Sequence, residues 1–252
     1  MKSNNQSALS KKRSSGGLLE TVKTIIYAVL IALVVRTVAY EPFNIPSGSM
    51  IPTLLVGDYL FVSKFSYGYS RYSLPFDLPL FSGRILQFEK PQRGNVVVFR
   101  LPSDPSTDFI KRVIGLPGDK VQMRDSNLYI NGQEVPRVKV ADEQCPDRIG
   151  EICQLYTETL PGGFAHPILK HGDGNFLDNT REFDVPPDHY FMMGDNRDNS
   201  DDSRDHVGYV PAENLVGRAQ FVFFSTDGSA HWWQPWLWPF ATRYGRLLNG
   251  VH

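Results

Sequence analysis

The longest apolar stretch of the chain lies near its N-terminus, where Thr24–Val35 reads TIIYAVLIALVV without a charged residue. Twelve residues at a helical rise of about 1.5 Å cover roughly 18 Å, less than the ~30 Å hydrocarbon core of a bilayer. Extending the segment to Leu18–Tyr40 gives the length of a full span but adds Glu20, Lys23 and Arg36. The two basic side chains are long enough to reach the two interfaces, so the longer segment is compatible with a membrane helix.

Three interpretations of this segment stay open on its residues alone. A cleaved signal peptide would use the basic cluster Lys11–Arg13, the apolar segment and a cut after Thr37-Val38-Ala39. An uncleaved anchor would keep the same residues as a transmembrane helix. A buried core helix fits least well, because a basic cluster precedes the segment. Both membrane interpretations leave the basic residues in the cytoplasm and place the chain from Tyr40 onward outside it.

From Glu41 onward, short apolar runs separated by turn residues predict a mainly β protein, since 18 Pro and 21 Gly punctuate the chain. The Asn131-Gly132 pair between two such runs is a strong signal for a two-residue hairpin. No amphipathic helix is predicted after the N-terminal segment. The predicted strands are Asp58–Ser63, Asn95–Arg100, Phe109–Ile114, Lys120–Arg124, Asn127–Ile130, His189–Met193 and Leu215–Phe224.

The stretch Val140–Asp188 is polar with scattered Gly and Pro, and we interpret it as a loop-rich β insertion at about 140–188 rather than a core strand layer. It contains the only two cysteines of the chain, Cys145 and Cys153. Outside the cytoplasm they would form a disulfide that closes a small loop and stabilises the fold by about 2–3 kcal/mol. A zinc site that adds His166 and His171 is disfavoured, because the cysteine spacing is too wide for a zinc knuckle.

All four tryptophans of the chain fall within His231–Phe240. Tryptophan favours the membrane interface, where its ring and its indole N–H both find suitable surroundings. Two prolines in the segment forbid a regular helix, so we predict an interfacial loop, with core packing as the alternative.

Composition and charge narrow the class of protein. The chain has 252 residues, of which 41% are hydrophobic, and its formal net charge is −1. These values indicate one globular domain of ordinary size and exclude a fully disordered, collagen-like or polytopic membrane protein. Residues 1–40 carry six basic residues against one acidic residue, and residues 1–17 are predicted to be a basic, disordered tail. Without an overall excess of positive charge, no nucleic-acid partner is expected.

The first polar segment with candidate chemistry is Pro46–Leu54, in which Ser47 and Ser49 flank Gly48. Glycine lets the backbone approach a ligand closely and expose the next side chain and its N–H. Because Ser-Gly-Ser is also common in plain turns, the segment does not by itself establish a site.

The second candidate is Lys111, which lies on a predicted strand. A period of two places Lys111 on one face with Phe109 and Val113, and Arg112 on the other face with Ile110. In an apolar setting, desolvation disfavours the ammonium, and a pKa moved from about 10.4 to near 7 corresponds to roughly 4–5 kcal/mol. A neutral lysine is a competent general base. The alternative is an edge strand from which Lys111 reaches solvent.

The third candidate is Gly194–Arg204, which reads GDNRDNSDDSR. It lacks the glycine and the distal glutamate of an EF-hand calcium loop, so a solvated acidic loop is the simpler alternative. A Ser-His-Asp triad is also disfavoured, because none of the six histidines lies in a recognisable elbow motif and no G-x-S-x-G occurs.

Taken in order, the three segments resemble the bacterial type I signal peptidases, the serine–lysine leader peptidases of the inner membrane. The resemblance rests on Ile45–Leu54, Phe109–Asp119 and Gly194–Arg204, and it extends over about residues 41–224. It implies a mainly antiparallel β catalytic domain of the signal peptidase type at 41–252. It also implies an endopeptidase that removes N-terminal signal peptides from exported preproteins by cutting after Ala-X-Ala, with no metal or other cofactor.

The resemblance also implies roles for individual residues. Ser49 matches the nucleophile, and Lys111 matches the general base that takes its proton. The Ser49 backbone N–H and the Ser47 hydroxyl match the oxyanion hole. Ser200 matches the hydroxyl that orients the lysine, with Asp202 close by.

Arg112 and Asp195 resemble a salt-bridged pair of the family that supports the lysine strand. The substrate is expected to add an extended strand beside Phe43–Pro46 through backbone hydrogen bonds. Shallow apolar pockets that accept small side chains are expected from Phe43, Ile45, Pro46, Met50, Leu54, Val98 and Ile110.

The resemblance favours the uncleaved anchor at 18–40. The expected topology is a single pass through the inner (plasma) membrane, with the tail 1–17 in the cytoplasm and the catalytic domain outside it. Preprotein signal peptides and the lipid bilayer are therefore the expected partners. Many relatives have two transmembrane helices, whereas this chain shows one candidate segment.

Two other functions are compatible with parts of the pattern. Self-cleaving repressors share the serine–lysine chemistry, but the apolar segment and the lack of a helix-turn-helix argue against a DNA-binding protein. An anchored β domain that only binds a partner would use the polar segments as structural loops, and Ser49→Ala and Lys111→Ala would then change nothing.

Overall fold

The computed structural model describes residues 16–73 and 83–252, and the side chains of residues 16–18 and 37 are not described. Residues 1–15 of the predicted tail lie outside this range. The helices are α1 (Gly16–Val38) and α2 (Trp238–Ala241). The strands are β1 (Tyr40–Asn44), β2 (Asp58–Ser63), β3 (Val96–Leu101), β4 (Asp104–Gly115), β5 (Lys120–Arg124), β6 (Asn127–Ile130), β7 (Gln133–Glu134), β8 (Arg137–Gln144), β9 (Ile152–Leu160), β10 (Phe164–Lys170), β11 (Phe183–Asp184), β12 (His189–Met193), β13 (Val210–Pro211) and β14 (Leu215–Ser225).

The largest sheet has seven strands in the order β1-β2-β14-β3-β4-β12-β13, and its neighbouring strands pair antiparallel. Strand β4 lies between β3 and β12, so the strand of Lys111 is central, and the alternative of an edge strand is wrong. Strand β1 is at the edge, with one side unpaired by any named strand of the described residues. A second sheet, β11-β5-β6-β7, continues the antiparallel architecture.

The core lies on both faces of the large sheet. In β3, Val96 and Val98 belong to one buried cluster, while Val97 and Phe99 belong to another. Successive side chains of a strand point to opposite faces, so a strand covered on both sides is apolar throughout. This explains the apolar run Val96–Phe99. The neighbouring strand β4 is buried in its second half, so its polar side chains Lys111 and Arg112 are also buried.

All seven predicted strands are confirmed. β2, β5, β6 and β12 have the predicted bounds, and the strands predicted at 95–100, 109–114 and 215–224 are found with shifted or extended ends. The Asn131-Gly132 turn joins β6 to β7 with positive φ at both residues, as a type I′ hairpin requires. The edge strand β1 was not predicted, because Pro42 in its centre is tolerated only at an edge or a bulge.

The insertion expected at about 140–188 is β structure, as predicted, but it is a regular sheet rather than loop-rich. β8, β9 and β10 form a three-stranded antiparallel sheet. The polar character arises because much of this sheet is exposed, while Cys153 and Leu160 on one strand are buried. Cys145 and Cys153 form a disulfide with Cα atoms 5.0 Å apart, and it closes the loop between β8 and β9.

The N-terminal segment forms the helix α1, whose apolar side chains are exposed on all sides. Over the residues that the structure describes, no helix is long and apolar enough to cross a membrane.

The tryptophan segment is largely exposed, with Trp232 at 80% and Trp236 at 66% of their full accessibility. It also contains the single-turn helix α2, contrary to the prediction of a loop, because a proline in the first turn of a helix costs no hydrogen bond.

Candidate active site

Ser49 and Lys111 meet at the centre of the site. Ser49 lies in the loop between β1 and β2, and Lys111 lies on the central strand β4. The Lys111 Nζ atom donates a hydrogen bond of 2.6 Å to the Ser49 Oγ atom. Both residues are buried, with 3% exposure for Lys111 and 7% for Ser49. A hydroxyl is thus held within proton-transfer distance of an amine.

The electrostatics of Lys111 favour the neutral amine. Burial lowers the pKa of Lys111 to about 8, against the opposing effect of the Asp202 and Asp201 carboxylates. The Phe109 ring, whose centroid is 5.4 Å from the Lys111 Nζ atom, supplies part of the apolar surroundings. A substantial fraction of Lys111 is therefore deprotonated at mildly alkaline pH and able to accept a proton.

A groove of about 420 Å³ opens beside the edge strand β1 and leads to Ser49 and Lys111. Ser47 lies on its wall, with its Oγ atom 3.5 Å from that of Ser49. The apolar residues predicted to contact substrate that do line the groove are Phe43, Ile45, Pro46, Val98 and Ile110.

Met50 and Leu54 are not among the described residues that line the groove, so contact of these two residues with substrate stays a prediction. Both are fully buried in the cluster that also contains Val98 and Leu60. In this position they pack the Ser49 loop against the core.

Arg112, next to Lys111 on β4, forms a two-pronged ion pair with Asp195. The Arg112 Nε and Nη2 atoms lie 2.8 and 2.7 Å from the two carboxylate oxygens. The Thr53 hydroxyl donates to the same carboxylate at 2.5 Å, and a third arginine nitrogen donates to the Gly94 carbonyl. Burial by itself raises the pKa of Asp195, but Arg112 overrides this effect and holds the pKa below its usual range. The pair joins the lysine strand to the segment 194–204.

Asp195→Ala is expected to destabilise the fold by about 3–5 kcal/mol, because it leaves the fully buried Arg112 guanidinium without a counter-charge. Urea unfolding followed by circular dichroism measures this loss. Asp184→Ala removes an exposed partner of Lys120 and should cost less than about 1 kcal/mol. Equal losses in the two variants would contradict the structural role of the buried pair.

Ser200 and Asp202 lie beside the site without a hydrogen bond to Lys111 among the described contacts. The Asp202 carboxylate instead accepts from Arg204 at 2.8 and 2.9 Å and from the Gly194 backbone N–H at 3.0 Å. The Ser200 hydroxyl is buried and has no hydrogen-bond partner in this structure. Asp202 therefore acts on Lys111 through its charge, by raising the pKa that burial lowers.

Gly194 is required by the close approach of two loops. A Cβ atom at this position would lie 2.2 Å from the Ser200 Oγ atom and 2.5 Å from the Ser49 backbone oxygen. Gly194→Ala is therefore expected to displace the Ser49 segment and lower kcat/KM about 10²-fold, since a shift of about 1 Å has that effect on catalysis. The control Gly245→Ala, where a Cβ meets nothing within 4 Å, should leave the rate unchanged. Full activity of Gly194→Ala would contradict this packing.

The disulfide argues against the zinc site, because Cys145 and Cys153 have no free thiol with which to bind the metal. His171 lies near the two sulfur atoms, but its Nε2 atom is 3.4 Å from Asp147. His166 is elsewhere, with its Nε2 atom 3.6 Å from Glu158, and burial lowers the pKa of His166 to about 4. The two histidines therefore belong to different surroundings and do not form one ligand set.

Sequence reasoning missed several polar residues of the groove. Asn44, Asp108, Asn199 and Asp201 line it together with the predicted residues. Asn199 and Asp201 fall within the acidic segment that the resemblance identified. Because most residues of this segment are polar, the sequence pattern could not distinguish these two from their neighbours. Thr53, likewise inside a recognised motif, is revealed only by its contact with Asp195.

A groove beside an edge strand, with a hydroxyl and a buried amine at its base, is an arrangement suited to hydrolysis of an extended peptide. The family model described as "Signal peptidase, peptidase S26" matches residues 18–224. The chain belongs to this family, whose members are hydrolases that remove signal peptides.

Two Rickettsia relatives agree with the family assignment. Signal peptidase I of Rickettsia typhi is 46% identical over 215 residues, which are 82% of this chain and 80% of the relative. Signal peptidase I of Rickettsia canadensis is 45% identical over 219 residues, which are 84% of this chain and 81% of the relative. A crystal structure of a signal peptidase I from Enterococcus faecalis aligns at 26% identity with a TM-score of 0.31, covering 52% of this chain and 97% of that chain.

Proposed function

We propose that this signal peptidase is a serine endopeptidase in which Ser49 is the nucleophile and Lys111 the general base. The observation that carries the proposal is the 2.6 Å hydrogen bond between the Lys111 Nζ and Ser49 Oγ atoms at the base of the groove. The burial that lowers the pKa of Lys111 to about 8 supports it, because only the neutral amine accepts a proton.

The reaction follows from this geometry in two stages. Ser49 Oγ attacks the carbonyl carbon of the scissile bond while Lys111 takes the hydroxyl proton. The Ser49 backbone N–H and the Ser47 hydroxyl stabilise the oxyanion, and Lys111 returns the proton to the leaving amine. Water then attacks the acyl-enzyme with Lys111 again as base, which releases the signal peptide and regenerates the serine.

Selection for small residues before the cut follows from the shape of the groove. The exposed edge of β1 can pair with an extended substrate, and backbone hydrogen bonds then align the scissile bond with Ser49. Ile45 and Val98 line the groove and are nearly fully buried in the core, so this close-packed apolar wall resists displacement by a large side chain. This supports cleavage after Ala-X-Ala.

The experiment on specificity uses a preprotein in which the residue before the cut is Ala, Leu or Trp. We expect cleavage of the Ala form only, with kcat/KM at least about 10²-fold lower for Leu and Trp, because the larger side chains clash with the wall. Product N-termini are read by mass spectrometry. Equal cleavage of all three forms would contradict the small-pocket proposal.

The proposal includes a membrane location, with residues 18–40 as the anchor and 41–252 as an extracytoplasmic catalytic domain. Its support is the uncharged run Thr24–Val35, whose described side chains are exposed around the whole of α1, with Lys23 and Arg36 at its ends. The exposed tryptophans of residues 232–238 add a second apolar surface suited to an interface.

The location is tested in cells that express the full chain. We expect carbonate-washed membranes to retain the protein and externally added protease to digest the catalytic domain of spheroplasts. A variant lacking residues 1–38 should be released from the membrane by the carbonate wash. Release of the full chain under the same wash, or protection of its catalytic domain, would contradict the proposed topology.

A further inference from the structure

The loop closed by the disulfide, residues 145–153 (the disulfide loop), reaches the segment that carries the nucleophile. Its Asp147 Oδ2 atom accepts hydrogen bonds from the Asn196 Nδ2 atom at 2.8 Å and the Asn199 Nδ2 atom at 2.7 Å. A Cβ atom at Gly48 would lie 3.5 Å from the Asp147 Cβ atom. The carboxylate is thus packed between the loop 46–54 and the segment 194–204, although the catalytic roles proposed above assign it no part.

Asn196 makes the contact to the nucleophile segment itself. It is fully buried, and its Nδ2 atom donates to the Gly48 carbonyl oxygen at 3.1 Å as well as to Asp147. Its backbone N–H donates to the Ser49 carbonyl oxygen, also at 3.1 Å. One residue therefore holds the carbonyl on each side of Ser49.

The Gly48 carbonyl and the Ser49 N–H belong to one trans peptide unit, in which the C=O and N–H bonds point in opposite directions. Holding the Gly48 oxygen on the Asn196 side therefore aims the Ser49 N–H away from Asn196. This N–H is a proposed donor of the oxyanion hole, and its value depends on a fixed direction before the oxyanion forms.

Asp147 and the Gly48 carbonyl oxygen together determine the orientation of the Asn196 amide. An amide nitrogen has two hydrogens, and here one goes to the Gly48 oxygen and the other to the carboxylate. A carboxylate only accepts, so a flipped amide would place its oxygen against two acceptors. The Asn196 Oδ1 atom is buried without a hydrogen-bond partner, which shows that the two acceptors alone orient the group.

We infer that Asp147 and Asn196 are positioning residues that aim the Ser49 backbone N–H at the carbonyl oxygen of the substrate. This inference rests on the proposed function, because it assigns the N–H to the oxyanion hole. The disulfide loop then has a role in catalysis, as the support that presents Asp147.

The test compares steady-state cleavage by Asp147→Ala, Asp147→Asn and Glu151→Gln in the full-length protein. Asp147→Ala should lower kcat about tenfold, part of the 10²–10³ that a lost oxyanion donor costs. Asp147→Asn keeps an oxygen that can accept both N–H groups and should stay within about threefold of wild type. Glu151 is exposed on the same loop, and its side chain pairs with Arg148 alone among the residues that the structure describes, so Glu151→Gln should match wild type.

A positioning role has further signatures. For Asp147→Ala, KM and the pH midpoint of kcat/KM should stay at their wild-type values, because the groove and Lys111 are unchanged. Asn196→Ala should lower kcat about 10²-fold, and adding Asp147→Ala to it should cost less than about twofold more, since Asp147 acts through Asn196. Asp147→Ser, too short to reach Asn196, replaces the alanine variant if thermal unfolding shows that it does not fold.

Three results would overturn the inference: an unchanged kcat in Asp147→Ala, equal losses in Asp147→Ala and Asp147→Asn, or a full tenfold additional loss in the double variant. A failure of the proposed function is distinguishable from these. It would appear as equal cleavage by wild type and Ser49→Ala, whatever the Asp147 variants do.

Discussion

Ser49→Ala is expected to lower kcat for preprotein cleavage by on the order of 10⁴–10⁶-fold, because it removes the oxygen that attacks the scissile carbonyl. The fold should be unaffected, since the variant deletes one hydroxyl whose described side-chain contacts are with Lys111 and Ser47. The measurement is cleavage of a purified preprotein carrying Ala-X-Ala by detergent-solubilised enzyme, with the product followed by gel and mass spectrometry.

Ser229→Ala is the matched control for this experiment. Ser229 is exposed, and within the described part of the chain its hydroxyl bonds to Asp227 alone, in the turn after β14, so its loss should leave the rate unchanged. KM should be similar in the wild type and in any residual activity of Ser49→Ala, because the groove is intact. If Ser49→Ala cleaves at the wild-type rate, Ser49 is not the nucleophile and the assignment of the oxyanion hole fails with it.

Lys111→Met and Lys111→Arg are both expected to lose at least about 10⁴-fold in kcat, for different reasons. Methionine is close in size to lysine but has no basic nitrogen. Arginine keeps a cation, but its guanidinium stays protonated and cannot accept the Ser49 proton. Loss of activity in both variants would therefore show that the reaction needs a base at position 111, and that neither a positive charge nor a side chain of similar size is sufficient.

Folding and a surface lysine provide the controls. At pH 7, below both the ordinary and the lowered pKa of Lys111, the buried ammonium costs stability, so Lys111→Met should unfold at the same temperature as wild type or a higher one. Lys139→Met removes an exposed amine on β8 and should retain full activity. Substantial activity in Lys111→Arg would rule out Lys111 as the base.

Local pattern was sufficient to predict much of the large sheet. β2, β5, β6 and β12 are bounded by turn residues and rich in β-forming side chains, so their limits could be predicted from the chain alone. The sheet β8–β10 could not, because its exposed faces make the strands as polar as loops. These strands are stabilised by pairing with one another, and such pairing cannot be recognised from the sequence of a single segment.

The site shows the same division between local and long-range information. The polar segments around Ser49 and Lys111 stood out, but these residues are 62 positions apart, and only the family resemblance joined them before the structure did. The burial of Met50 and Leu54 could not be predicted, because an apolar residue in the Ser49 motif can face the core as well as the groove. Asp147 gave no local signal, since its function depends on a contact 49 positions away.

The pH dependence of kcat/KM for the wild type tests the central claim most directly, because it reports the ionisation of the free enzyme's base. With Lys111 as base, kcat/KM should rise about tenfold per pH unit at low pH and level off above a midpoint near the lowered lysine pKa of about 8. A midpoint near 6.5 would indicate a histidine base instead. Such a midpoint, or a rate that stays constant from about pH 5 to 9, would contradict the proposal that a buried, neutral lysine activates Ser49.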